Sequence, residues 1–194
     1  MCIRDRVNGM SQTDTVNGTG NLIVGYNETD DLTAPITCSD GTHWKDQALC
    51  EPDAVWGANF RSGSHNLVLG SGNSYSSFAG LVSGHGNAIT RDYAVVMGSV
   101  GSIAAGVYSV VSGGMGNTAS GTVSSVSGGA ANVASGWHSA VSGGSNNTAS
   151  GQGSSVSGGS FNTASANYSS VSGGTNREAA GTTDWVAGTL FEDQ

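Results

Sequence analysis

Hydrophobic and polar positions recur with a period of 15 residues through the second half of the chain. In Ser124-Ser125-Val126-Ser127 a valine alternates with serines, which is the two-residue period of a β-strand. Gly128-Gly129 follows and favours a turn with positive φ, and Asn132-Val133-Ala134-Ser135 predicts a second short strand. The valines that begin the repeated Val-Ser-Gly-Gly are Val111, Val126, Val141, Val156 and Val171.

Two further columns of residues, one of asparagine and one of alanine, repeat with the same 15-residue period as the valines. The alanines alternate with polar neighbours, so each unit directs one valine and one alanine inward. The asparagines either hydrogen-bond amide to amide along a stack of units or cap the turn of their own unit. The two columns consist of Asn117, Asn132, Asn147 and Asn162, and of Ala119, Ala134, Ala149 and Ala164.

The length of the unit decides the fold class. Helical hairpin repeats take roughly 30 residues or more per unit, and glycine and serine are poor helix formers. Two short strands and two turns fit the unit. We therefore predict an all-β fold, a β-solenoid or β-roll of 14–15-residue two-strand coils, interrupted by one loop insertion.

The earlier coils carry apolar residues on both faces of their strands. Val68 and Val82 continue the valine column upstream with a spacing of 14. Leu67-Val68-Leu69, Val95-Val96-Met97 and Val110-Val111 are apolar at successive positions, as in strands that are buried on both sides. One face fills the coil interior, and we expect the other to pack against a second chain. The pattern predicts a homo-oligomer.

The repeat carries a resemblance to a known family. The unit Gly121-Thr122-Val123-Ser124-Ser125-Val126-Ser127-Gly128 resembles the head repeat of trimeric autotransporter adhesins, and Asn66-Leu67-Val68-Leu69-Gly70 is its best local match to that family's motif. The resemblance covers about residues 61–190 and residues 20–26. It implies a left-handed β-roll, a homotrimer, and an extracellular, cell-surface protein of cell adhesion and virulence that binds a host glycan or a matrix ligand.

The chain divides into four segments. Residues 1–6 look like a translated sequencing remnant, and residues 7–27 hold the first coil of the roll. Residues 28–60 form an insertion that carries many acidic residues, both prolines and two of the three cysteines, and residues 61–194 form the remaining coils. We interpret the chain as a fragment of a longer protein, truncated at its C-terminus.

The insertion contains the candidate covalent and metal chemistry. Cys38 and Cys50 bracket eleven residues, and a disulfide that closes this loop would stabilise the fold by about 3 kcal/mol. We favour that disulfide, which indicates an oxidising, extracellular compartment. A metal site from Cys38, Asp40, His43 and Cys50 has no recognisable zinc spacing, and calcium binding by the acids lacks a D-x-D-x-D-G loop. We expect no metal and no cofactor.

Aromatic residues concentrate in and beside the insertion. They either stack on a sugar or a partner protein, or cover the end of the roll and attach the insertion to it. Trp137 and His138 occupy a turn position that varies from coil to coil, and we interpret them as exposed decoration. Trp185 indicates a capping or junction coil. The candidate binding residues are His43, Trp44, Trp56, Phe60 and Tyr75.

Charge and composition narrow the function. Six Lys and Arg against fourteen Asp and Glu give a net charge of −8, the wrong sign for nucleic acid, and no stretch is apolar enough for a membrane helix. No residue between Tyr93 and Asn176 is charged, so the coils offer no converging catalytic groups, and we expect no enzyme. The leading hypothesis is a structural and adhesive surface-exposed β-roll that presents the insertion. The alternatives are a receptor-binding rod of a phage tail fibre, carried on the virion, and an ice-binding solenoid.

Overall fold

The computed structural model describes residues 20–24, 37–38, 56–57 and 61–188. Within these ranges the chain forms short strands joined by tight turns and contains no helix, so it also offers no helix that could span a membrane. The strands of successive coils stack in parallel with a register offset of 14 or 15 residues. The chain is therefore a β-solenoid, as the period of the sequence predicts.

Two parallel sheets line the solenoid. The valine positions form an eleven-stranded sheet and the alanine positions an eight-stranded one, and a separate antiparallel pair lies in the insertion. The eleven strands are β1 (Leu22–Val24), β4 (Leu67–Ser71), β6 (Leu81–His85), β8 (Val95–Val100), β10 (Val110–Val111), β11 (Gly114–Met115), β13 (Ser125–Val126), β15 (Ala140–Val141), β17 (Ser155–Val156), β19 (Ser170–Val171) and β21 (Trp185–Val186). The eight are β5 (Ser74–Tyr75), β7 (Ala88–Ile89), β9 (Ile103–Ala104), β12 (Thr118–Ala119), β14 (Val133–Ala134), β16 (Thr148–Ala149), β18 (Thr163–Ala164) and β20 (Glu178–Ala179). The antiparallel pair is β2 (Thr37–Cys38) and β3 (Trp56–Gly57).

The core is one row of small side chains along the solenoid. From Val96 to Val171 each coil buries one valine and one alanine, which confirms the inward pair expected from the alternation. The two preceding coils differ, because Val68 and Val82 face Tyr75 and Ile89 instead of alanine. The interior is therefore wider at the N-terminal end of the described coils.

The change of spacing from 14 to 15 is made by a bulge. Val82 pairs with Val96, but Gly84 pairs with Ser99, so the later strand contains one extra residue. The N–H of Gly98 donates to Ser83 Oγ at 3.0 Å, and Gly98 has a φ of 57°. A bulge of this kind, with a left-handed glycine, absorbs one inserted residue without breaking the ladder.

Each coil turns at two corners through residues in the left-handed conformation, and these are often not glycine. At one corner the N–H of Tyr108 donates back to Asp92 O at 3.1 Å, whereas strand residues donate forward to the next coil. A residue in the left-handed conformation points its N–H toward the previous coil, whereas the strand residues point theirs toward the next coil. The column at this corner comprises His65, Ala79, Tyr93, Tyr108, Val123, His138, Gly153, Tyr168 and Thr183. Together with the residue that precedes each of them, among these Phe78 and Trp137, it forms the surface that we call the aromatic edge.

Substitution of Val123 by asparagine should raise the free energy of unfolding by up to about 1 kcal/mol. Val123 is β-branched, exposed and held at a φ of 58°, a conformation that costs roughly 1–2 kcal/mol for most residues and less for asparagine. Urea unfolding followed by circular dichroism measures the change. Thr122→Asn is the matched control, because Thr122 is adjacent, exposed and not at positive φ. Equal stabilisation of both variants would contradict the backbone explanation.

Candidate binding surfaces

The candidate residues of the insertion fall mostly outside the described ranges. The antiparallel pair of β2 and β3 places Cys38 opposite Trp56 and Thr37 opposite Gly57 in the backbone register. His43, Trp44, Cys50 and Phe60 lie outside those ranges. The disulfide between Cys38 and Cys50 and the aromatic binding surface therefore stay predictions.

Tyr75 requires a correction. The sequence grouped Tyr75 with the exposed candidates, but its side chain belongs to the core row and is only 4% exposed. Burial raises the pKa of the Tyr75 hydroxyl above its ordinary value, and the nearby Arg61 partly opposes this shift. A ring in this position fills the wide first coils and cannot stack on a ligand from solvent.

Acidic, histidine and cysteine side chains do not gather in the coils. Among the residues placed by the structure, no group of three or more His, Cys, Asp or Glu is arranged to hold a metal ion. The described coils therefore provide no donor set for a metal.

The asparagine column from Asn117 to Asn162 bonds to backbone, which agrees with the turn-capping interpretation, whereas bonds between side-chain amides occur in the earlier coils, as from Asn87 Nδ2 to Asn73 Oδ1 at 3.3 Å. Asn117 Oδ1 accepts the N–H of Asn132 in the next coil at 2.9 Å. Asn117 Nδ2 donates to Gly113 O of its own coil at 2.9 Å and to Gly129 O of the next at 3.1 Å. Each asparagine thus caps its own turn and links it to the following coil.

The column continues where the sequence shows no asparagine. The N–H of Ser102 donates to Asn87 Oδ1 at 2.9 Å, and Ser102 Oγ accepts the N–H of Asn117 at 3.1 Å. At the other end the N–H of Arg177 donates to Asn162 Oδ1 at 2.9 Å. A serine hydroxyl replaces the amide acceptor, so the link between coils persists.

The aromatic edge places several rings side by side on the surface. Tyr93 and Tyr108 stack with centroids 4.8 Å apart and planes 4° from parallel, and Phe78 meets Tyr93 edge-on at 5.3 Å. Further along, the rings of Trp137 and His138 lie 4.7 Å apart at an angle of 51°. The sequence showed that the residue type at this turn varies from coil to coil, but it did not show that the aromatic residues share one surface. Aligning the chain at its own period would have shown one aromatic-rich column.

Tyr168 extends this edge over the coil before it. Its ring covers Gly153, because a Cβ at Gly153 would lie 2.9 Å from Tyr168 Cδ1 and 3.1 Å from Cε1. The backbone holds the three coils in register, since the N–H of Gly153 donates to Trp137 O and that of Tyr168 to Gln152 O, each at 2.7 Å. The edge therefore runs over three consecutive coils, with Trp137 and His138 in the first, Gly153 in the second and Tyr168 in the third.

The outer face of the larger sheet changes character along the roll. In the first half its half-buried positions are apolar, namely Leu67, Leu81, Val95 and Val110 in register. In the second half the same column carries Ser125, Ala140, Ser155 and Ser170, and Ser155 Oγ donates to Ser170 Oγ at 3.0 Å. One end of this face is thus an apolar column and the other a hydroxyl column.

The last described coil departs from the repeat. Trp185 follows the hydroxyl column and is highly exposed, with its Nε1 donating to Ser172 Oγ at 2.7 Å. Asp184 stands at the position of Ser139, Ser154 and Ser169 in the earlier coils, and its carboxylate accepts the N–H of Gly181 at 2.7 Å. These polar and large residues agree with the expectation of a capping or junction coil.

Comparison with known proteins assigns no function to these surfaces. No protein-family model and no curated protein matches the chain.

Proposed function

We propose that the chain is a structural and adhesive module of a surface-exposed protein, similar to the head of a trimeric autotransporter adhesin. The roll is a non-catalytic rod that holds binding elements, among them the insertion of residues 28–60, away from the surface that carries it. The observation that carries the proposal is the in-register solenoid itself, in which the coils from Tyr93 to Asn176 contain no charged residue. The proposed location is extracellular, on a cell surface or, in the alternative, on a virion.

Regular bonding between coils supports the role as a rod. Backbone N–H groups of both sheets donate to the next coil, and the corner residues donate to the previous one. The asparagine column adds buried side-chain bonds at the same interval. Such an array is stiff because each coil is fixed by its neighbours, and it tolerates change at its exposed corners.

The apolar column supports a homotrimer. Leu67, Leu81, Val95 and Val110 lie half-buried on an outer face, and Met97 beside them is 42% exposed. Contact with identical columns of two further chains would remove this surface from water, which favours association. Light scattering under oxidising conditions should give a mass close to three times 19.3 kDa.

A pair of charge variants tests which face associates. Leu81→Asp should convert the trimer to a monomer, because it places a carboxylate in the apolar interface. Ser155→Asp changes the hydroxyl half of the same outer column and should leave the trimer intact. A monomeric parent protein, or equal loss of mass in both variants, would contradict the trimer proposal.

The insertion is tested by deletion of residues 29–59. Leu22 of β1 pairs with Leu67 of β4 although 45 residues separate them. The deletion leaves these two leucines 14 residues apart, which is the spacing of Leu67 and Leu81 in the next pair of coils. The roll should therefore keep its melting temperature and its mass. Adhesion to host cells, or to surfaces coated with mucin or fibronectin, should be lost, and unchanged adhesion would move the binding site onto the coils.

A phage tail-fibre rod would use the same solenoid, and binding to bacterial instead of animal cells would favour that alternative. The ice-binding alternative draws on one observation. Thr118, Thr148 and Thr163 lie in one column of the smaller sheet, where Thr148 and Thr163 are half-buried and Thr118 is buried. Val133 interrupts this column and Glu178 follows it, which disturbs a flat hydroxyl array. Thermal hysteresis measured on the full chain would favour this alternative, and we expect none.

A further inference from the structure

We infer that the aromatic edge at Trp137, His138 and Tyr168 is a carbohydrate-binding platform for an extended, uncharged polysaccharide that runs along the stack of coils. The inference rests on the proposed adhesive function and deepens it, since it adds a ligand class and a site on the coils. The site is separate from the insertion.

Exposure and rigidity make these rings available as a platform. Trp137 is 53% exposed and Tyr168 is 58% exposed, and the two lie two coils apart, about 10 Å at the usual strand spacing. The bonds of Gly153 and Tyr168 to the preceding coils fix the backbone beneath them. A preformed aromatic surface loses little conformational freedom on binding, which favours affinity.

Gly153 gives the platform its shape. Every other described position of the aromatic edge carries a side chain, and at Gly153 the ring of Tyr168 lies in the space that a Cβ would occupy. The Tyr168 ring therefore lies against the coil of Gly153 and keeps much of its surface in solvent, two coils along from the tilted pair of Trp137 and His138. Tyr93 and Tyr108 differ, because their ring faces are stacked on each other.

The chemistry around the rings suits an uncharged sugar. Aromatic faces pack against the C–H faces of a pyranose, and amide groups bond its hydroxyls. Gln152 and Asn167 stand between and beside the rings, with Asn167 Oδ1 accepting the N–H of Gln152 at 3.0 Å. No charged residue lies within the stretch from Tyr93 to Asn176, so the three coils that carry the rings offer no charged partner to a sugar. The next charge along this edge is Asp184, beside Thr183 in the coil after Tyr168, which disfavours an acidic ligand.

The dimensions favour a thin ligand over a protein. Trp137 and Tyr168 would each bury about 150–250 Å² if fully covered, so half-exposed they offer roughly 150–250 Å² together. A stable protein interface takes about 800 Å² from each partner. The platform is narrow and is repeated along the roll axis, which is the geometry of an extended chain of sugars lying across successive coils.

The test uses calorimetric titration of the full chain with cellohexaose and chitohexaose, and with hexagalacturonate as the charged comparator. We expect one or both neutral hexasaccharides to bind and the charged one not to bind. Trp137→Ala and Tyr168→Ala should each weaken binding by about tenfold or more. Phe161→Ala is the matched control, since Phe161 is 57% exposed but lies at the other corner of the coil, and it should bind as the parent does.

Gly153→Ala is the most specific test of the platform, because it changes the position of the Tyr168 ring without removing the ring. The column already accommodates side chains at a φ near that of Gly153, so the added methyl should displace the Tyr168 ring and leave the coil folded. Affinity should fall while the circular dichroism spectrum stays that of the parent, and Tm should fall by only a few degrees, because alanine at a φ of 63° is strained by roughly 1–2 kcal/mol. Absence of binding to both neutral hexasaccharides, or equal losses in the Phe161→Ala control, would overturn the platform.

Failure of the platform and failure of the proposed function give different results. If the parent adheres to coated surfaces or cells, loses adhesion only on deletion of residues 29–59 and binds no hexasaccharide, the platform is wrong and the adhesive module stands. If the parent binds a neutral hexasaccharide but adheres to none of the surfaces or cells, the platform stands as a sugar site and the adhesive role is wrong.

Discussion

Replacement of Gly144 by alanine should lower the free energy of unfolding by about 3 kcal/mol or more, whereas replacement of its neighbour Gly143 should change it by less than about 0.5 kcal/mol. The two glycines are adjacent in the same Val-Ser-Gly-Gly turn. A large difference between two identical substitutions at neighbouring positions follows from the way that the coils stack.

Gly144 is constrained by both its backbone and its neighbour. Its φ is 83°, in the region where an L side chain is strained by roughly 1–2 kcal/mol. A Cβ at this position would lie 2.2 Å from Gly159 O and 2.6 Å from Asn147 Nδ2. Alanine would therefore separate two coils at the carbonyl to which the asparagine column bonds. Around Gly143 no heavy atom lies within 4 Å of the added methyl, and its φ is not positive.

Thermal and urea unfolding followed by circular dichroism measure both variants. For a chain of this size the loss at Gly144 corresponds to a fall in Tm of about 6–12 °C. The same contrast should recur one coil later between Gly159→Ala and Gly158→Ala, since Gly159 has a φ of 83° and Gly158 has open space. Equal effects at Gly143 and Gly144 would contradict the close stacking of coils.

The period of the sequence was enough to predict the solenoid, because the features that repeat are those that define it. A buried valine that alternates with serine specifies a strand and its inward face, and a fixed interval of 15 residues specifies parallel stacking in register. The inward alanines follow in the same way. Where the period changes, the sequence showed only a spacing of 14, and the bulge at Gly98 that accommodates the change could not be located from alternation alone.

The corners were harder to predict, because the residues that occupy them do not have the usual preference for the left-handed conformation. Tyr108, Val123 and Phe161 all have positive φ. Bonding of their N–H groups to the previous coil outweighs the local preference, so this conformation is imposed by the stack. The sequence of a single unit therefore does not indicate a positive φ at these positions.

The candidate site could likewise be predicted only in part from the sequence. The candidate residues of the insertion were chosen from its composition, which does not fix the positions of side chains. Tyr75 was assigned to the candidate surface but lies in the core, because the first coils are wide enough to hold its ring. Trp137 and His138 were interpreted as unconnected decoration. Their relation to Tyr168 depends on Gly153, a residue whose contribution is the absence of a side chain.

Replacement of Asn132 by alanine should lower the free energy of unfolding by about 3–5 kcal/mol. Asn132 is fully buried, and its Oδ1 accepts the N–H of Asn147 at 3.0 Å. Its Nδ2 donates to Gly128 O and Gly144 O, each at 3.0 Å. Alanine would leave one buried donor and two carbonyls without these partners, at a point where two coils meet. Asn146→Gly is the control, because Asn146 is exposed and at positive φ, and it should change stability by less than about 0.5 kcal/mol.

Asn132→Asp separates the loss of the donor from the loss of volume. The carboxylate keeps the acceptor for Asn147 but turns a second oxygen toward the carbonyls of Gly128 and Gly144. Burial and these carbonyls would raise the pKa of the new carboxyl above its unfolded value of about 3.9, so the folded state would hold its proton more tightly. Relative to the parent, the variant should be most stable below about pH 4 and lose stability as the pH rises through the raised pKa. At pH 7 it should be at least as unstable as Asn132→Ala, because a buried charge is added to the missing bonds. A difference between parent and variant that does not change with pH would mean that the column is held by packing instead of by its hydrogen bonds.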